Sequence, residues 1–173
     1  MTPARGPALA GLPVAMVRVW WAPRRVVRGL SPMAEPSLLV MLMLAMGLFL
    51  IAQVPVHLAA ARADPSIPAE ARLGGAALSV MFLMPLAAYA VAALSAGLSG
   101  LAGRWTGRRR LPGPEARLAL FWALLAIAPV MVLSGAVRGT VGPGPAAAVL
   151  QALAGLGFLY IWGAGIAALT RTE

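Results

Sequence analysis

Four stretches of this chain are apolar, free of formal charge and long enough to cross a bilayer. That pattern limits the fold more than any motif in it. About 20 residues, rising about 1.5 Å each, cross a hydrocarbon core of roughly 30 Å. The first run lies between Glu35 and Arg62, the second between Leu73 and Gly103, the third over residues 118–137 and the fourth over 146–169. Backbone groups in hydrocarbon must satisfy one another, so each run is expected to be a helix. The fold class read from this is all-α: a polytopic transmembrane bundle of about four spans, over residues 38–60, 75–101, 118–137 and 146–169. The second run is unusually long and holds Pro85. One tilted or kinked helix is the preferred reading, with two short half-spans as the alternative.

Composition agrees. Apolar residues make up 61% of the 173 residues and charged ones 11%, against roughly 25% charged in soluble domains. Too few polar groups exist to cover a soluble surface. The formal net charge of +9 could suggest nucleic acid, but its distribution argues otherwise. Every basic residue is Arg, and the arginines cluster between apolar runs, as they do in proteins that touch anionic headgroups. No polar domain interleaves them with RNA-stacking aromatics, so no nucleic-acid partner is expected. Heavy use of Ala, Gly, Pro and Arg without Lys suggests a GC-rich, bacterial genome.

Residues 1–16 read as a flexible tail rich in Pro, Ala and Gly, with Met16 a second candidate start. Residues 17–34 (VRVWWAPRRVVRGL and its sequel) mix Trp and Arg at short spacing, which suits the headgroup layer. Pro23 divides the segment, so a single long amphipathic helix is not expected. Residues 37–173 then form the transmembrane domain. Eleven of the fourteen arginines fall in the N-terminal tail, the middle loop and the C-terminus. Basic residues are retained on the cytoplasmic side, so both termini are expected in the cytoplasm, and the location is the bacterial inner membrane.

Chemistry is hard to find. None of the four spans contains Asp, Glu, Arg or Lys. The acids are Glu35, Asp64, Glu70, Glu115 and Glu173, all in loops or tails. Ionisable groups in lipid are costly and mark pumps and membrane enzymes. With no Cys and a single His57, no metal site and no thiolate chemistry are expected. No GxSxG motif is present, and Ser79, Ser95, Ser99 and Ser134 read as small packing residues. The chain is expected to be non-enzymatic, with no cofactor. Arg24, Arg25, Arg28, Arg108, Arg109 and Arg110 are the candidate contacts to anionic lipid headgroups.

Small residues recur at helical spacing: Ser95, Ser99 and Gly103; Ala96 and Gly100; Gly135 and Gly139. Such stripes let helix backbones approach closely. Packing within the bundle is favoured over an interface with a second copy or another membrane protein. Pro55, Pro85 and Pro129 each fall inside an apolar run, remove one backbone donor and mark candidate kinks.

Several segments together resemble the bacterial branch of the Yip domain family, the Ypt-interacting membrane proteins. They are WWAPRRVVRGL before the first span, MFLMPLAAYAVAAL in the second, and ARLALFWALLAIAPVMVLSGAV followed by GPGP around the third. The resemblance implies a small multi-span helical membrane protein with a cytoplasmic N-terminus. Eukaryotic members associate with Rab-type GTPases. This chain departs from them, with four spans in place of five and no acidic DLYGP-type segment, so a Rab partner is not carried over. The leading expectation is a scaffold or accessory protein acting through helix packing, lipid or protein contacts. The rival is a small transporter or permease component with a site at the proline-interrupted helices. A polar cavity lined by Gln53, His57, Tyr89 or Gln151 would favour the rival.

Overall fold

The computed structural model describes residues 11–106 and 109–170, and among them there are helices, turns and loops but no strand. Two short helices, α1 (Leu12–Arg18) and α2 (Pro23–Leu30), precede α3 (Glu35–Ala63). Then come α4 (Ala69–Leu78), a π-helical turn (Ser79–Leu83), α5 (Met84–Thr106), α6 (Gly113–Thr140) and α7 (Pro145–Leu169). Four of these units are long and apolar enough to cross a membrane: α3, the continuous stretch Ala69–Trp105, α6 and α7. The chain is therefore a multi-pass, all-α bundle of four spans.

The second apolar run is one helix. It covers 37 residues, about 55 Å at 1.5 Å per residue, so it overshoots a 30 Å hydrocarbon core and must tilt or protrude. Its π turn lies immediately before Pro85, and the Met84 N–H bonds to the Ser79 carbonyl five residues back. A proline ring would collide with the carbonyl four residues earlier in a regular helix. The widened turn relieves that collision and lets the helix continue. Pro55 and Pro129 lie inside α3 and α6, which also run through them.

Helix α6 is the axis of the bundle. From Ala116 to Ala128 almost every side chain is buried, including Phe121 and Trp122. A helix apolar on all sides belongs in an interior. Against it lies α3, running in the same direction: Glu35 pairs with Arg117 at one end, and Ala52 and Pro55 meet Gly135 and Gly139 toward the other. The α3 side chains buried in this seam, Leu38, Leu42, Ala45, Phe49 and Ala52, alternate steps of four and three. That is the spacing of knobs-into-holes packing.

Helices α5 and α7 also pack on α6, and the α7 backbone stays more than 8 Å, Cα to Cα, from those of α3 and α5. The α5 face turned inward carries Ala88 and Ala92, with Ala96 half-buried beyond them. Its opposite face, with Leu86, Leu94, Leu98 and Leu101, is exposed as lipid contact requires. Two ends follow from the antiparallel order. One holds the starts of α3 and α6 and the end of α7, and is rich in arginine. The other holds the ends of α3 and α6 and the start of α7.

Candidate functional site

The N-terminal segment breaks into two helices at the residues before Pro23, as its sequence implies, and helix begins already at Leu12. The segment is docked on the bundle. The Trp20 indole lies over Gly157, where a Cβ would come within 2.4 Å of the ring. Val27 reaches Gly165, and the Arg28 Nε–H donates to the Ala168 carbonyl at 3.3 Å. Helix α2 thus runs alongside the second half of α7 and in its direction. Gly157 stands twelve residues before Leu169, about 18 Å along the helix, so the docked segment reaches well into the bundle's depth. Glycine at 157 is what admits the indole. Arg28 supplies a positive partner to carbonyls at the α7 C-terminus, where the helix dipole is negative.

The remaining arginines of α2 do something else. Arg24 and Arg25 are exposed and line a notch of about 460 Å³ with Trp21, Pro23, Tyr160 and Ala164. Neither forms an ion pair among the described residues. Two guanidinium groups beside an indole and a phenol can hold an anionic oxygen.

The middle-loop arginines are divided. Arg109 pairs with Glu115 at 3.1 Å, and the Arg110 side chain lies against Gly100. Arg108 falls outside the described residues. Arg117, paired with Glu35, also stands 5.8 Å from the Tyr89 ring centre, and Tyr89 meets Phe121 edge-on.

The small-residue stripes take different roles. Gly135 and Gly139 are where α6 approaches α3: a Cβ at Gly135 would lie 1.9 Å from the Ala52 carbonyl oxygen, and one at Gly139 would lie 2.4 Å from the Pro55 Cβ. In α5, Ser95 donates to the Val91 carbonyl at 2.7 Å. Ser99 donates to the Ala96 carbonyl and accepts the Leu111 N–H at 3.0 Å, so it ties down the loop before α6. Gly103 is half-buried one turn further. The inward face of α5 is instead the neighbouring alanine row, which includes the Ala96 and Gly100 positions.

At the other end, a groove of about 440 Å³ runs along α6 between α3 and α7. Its polar end holds Gln53, Ser134, Arg138 and Gln151, and its deeper part holds Phe49, Leu124, Ile127, Met131 and Phe158. Of the four residues named for a polar cavity, Gln53 and Gln151 line it. His57 stays half-buried on α3, and Tyr89 belongs to the Arg117 contact. The sequence held no signal for Arg138 as a lining residue, since it reads as the cap of a short turn. Among the described residues, no three metal-ligating side chains cluster.

The loop that follows α3 is fastened. The Ser66 N–H and hydroxyl both donate to the Asp64 carboxylate, and Arg72 binds the same carboxylate at 3.0 Å and the Asp64 carbonyl at 3.1 Å. The Ser66 hydrogen bonds, with Arg72 adding to them, hold the Asp64 carboxyl below its usual range. No protein-family model, no curated protein and no solved structure matches this chain.

Proposed function

We propose that the chain is a non-enzymatic scaffold or accessory protein of the bacterial inner membrane. On this reading both termini are cytoplasmic, and the arginine-rich end engages anionic lipid and, through it, a membrane-protein partner. The observation that carries the reading is the notch in which Arg24 and Arg25, unpaired among the described residues, stand beside Trp21 and Tyr160. It gains support from the spans, whose buried side chains, among the described residues, are apolar apart from the Ser134 hydroxyl and include no acid or lysine. The Yip-like segments WWAPRRVVRGL and FWALLAIAP fall on the docked segment and on the axis of the bundle, and membership of that family is part of the proposal.

The test is lipid retention by the full chain reconstituted in nanodiscs of mixed zwitterionic lipid and phosphatidylglycerol. Each basic residue near an anionic surface is worth about 1 kcal/mol. The R24Q/R25Q double variant should therefore lower anionic enrichment by about thirtyfold, and added salt should lower it in the wild type. Enrichment unchanged by both would sink the reading.

A second reading, a permease component, is favoured by one observation: the glutamine-lined groove at the far end. Counterflow of a labelled solute in proteoliposomes would establish it.

A further inference from the structure

The groove along α6 has the layout of a lipid molecule. Its polar end is built in two tiers. Arg138 lies at the mouth, exposed, two residues before the end of α6, and forms no ion pair among the described residues. Asp64, an acid of the same end, is taken by Arg72. About one turn deeper, about 5 Å along the axis, Gln53 and Gln151 face the groove from either side. A guanidinium binds phosphate through its planar fork of donors. Amides one turn below stand where the ester oxygens of a phospholipid follow its phosphate.

Below that tier the lining becomes apolar. Ile127, Met131 and Leu124 form the floor, and Phe49 and Phe158 the sides. From Arg138 to Leu124 the floor spans fourteen residues of α6, about 21 Å. It then meets a second, apolar cavity of about 230 Å³ that shares Met84, Leu124 and Phe158 with the groove. A polar head and an apolar chain therefore find matched surroundings in two adjoining spaces.

The way in also points to lipid. No Cα of α3 or α5 comes within 8 Å of a Cα of α7, so the groove opens sideways between their backbones, toward where hydrocarbon surrounds the bundle. A water-soluble solute passing inward from Gln53 and Gln151 would meet only apolar side chains, which it could enter only by losing its hydration. A lipid enters by lateral diffusion without leaving its own phase.

We infer that this groove is a binding site for one anionic phospholipid of the leaflet on the Arg138 side, with its phosphate on Arg138, its ester region at Gln53 and Gln151, and one acyl chain along α6. The site is separate from the arginine-rich end and stands or falls without it.

The test uses native mass spectrometry of the full chain released from nanodiscs containing phosphatidylglycerol or, separately, phosphatidylcholine. Wild type should retain one phosphatidylglycerol that R138Q loses with about a tenfold drop in affinity, the scale for one charge-assisted hydrogen bond. G155L is the second variant. A Cβ at Gly155 meets nothing within 4 Å, so the leucine fills the groove without disturbing the helices and should abolish the bound lipid. R62Q, on the same end but outside the groove lining, should retain it. Equal retention of phosphatidylcholine, retention unchanged in R138Q and G155L, or a water-soluble molecule held in place of lipid would each overturn the assignment.

Discussion

The α3–α6 seam is the place where a single methyl group should matter most. Replacing Gly135 by Ala would put a Cβ 1.9 Å from the Ala52 carbonyl oxygen, against an ordinary contact of 3.4–4 Å. The obstructing atoms are backbone, so no rotamer change relieves the clash. The two helices must move apart by about 1.5 Å, and overpacking of this kind costs about 1–3 kcal/mol. The upper end applies here, because separation loosens the whole row from Leu42 to Ala52. Alanine returns about 1 kcal/mol through its better helix propensity. The net loss is then about 2 kcal/mol, or about 4–8 °C in Tm for a chain of this size. Thermal unfolding in mild detergent, followed by circular dichroism, measures it. Gly139→Ala meets Pro55 on the same seam, so the double variant should lose less than the sum of the singles. Gly163→Ala, where a Cβ meets nothing within 4 Å, is the control and should melt at or above wild type. A Gly135→Ala protein as stable as that control would refute the close approach.

Three further outcomes are expected. Gly157→Leu should expel Trp20 from α7, exposing the segment around Arg18 to trypsin in detergent, whereas Gly155→Leu should leave cleavage unchanged. Arg28→Gln removes the side-chain donor to the Ala168 carbonyl and should cost about 0.5–1 kcal/mol, read as faster amide exchange in the last turn of α7. Asp64 has its carboxyl pKa lowered in the folded chain, so its contribution to the turn is present above the unfolded value and is lost as pH falls through the lower folded one. Exchange at the Ser66 amide, corrected for its intrinsic rate, should therefore rise below the ordinary carboxylate range and become independent of pH there in Asp64→Ala.

The spans were legible because lipid leaves one signal that needs no tertiary context: the absence of charge over about 20 residues. Their ends were less so. Helix continues past residues 38–60 to Glu35 and Ala63, and past 118–137 to Gly113 and Thr140. Hydropathy marks hydrocarbon, whereas backbone hydrogen bonding persists into the interface through Glu35, Arg62 and Arg138. Partner choice was the hardest part to read. When every face is apolar, amphipathicity cannot point a helix inward, and small residues decide the pairing. Gly135 and Gly139 stood out because two glycines four residues apart fall on one face of a helix. The packing row through Ala88 and Ala92 did not, because α5 carries alanine on every side. The groove was half legible: Gln53 and Gln151 are conspicuous in apolar runs, but their convergence depends on α3 and α7 standing apart across α6.

The seat of the N-terminal segment also sets an order of assembly. Trp20 rests on Gly157 and Arg28 on Ala168, 140 residues later. At about 5–20 residues per second of synthesis, α7 leaves the ribosome many seconds after α2 has emerged. Throughout that interval the Arg28 guanidinium has no α7 carbonyl to bind. Docking of the segment therefore comes last, once Gly157 and Ala168 of the final span are in place. A chain arrested before Gly157 lacks the surface on which Trp20 rests.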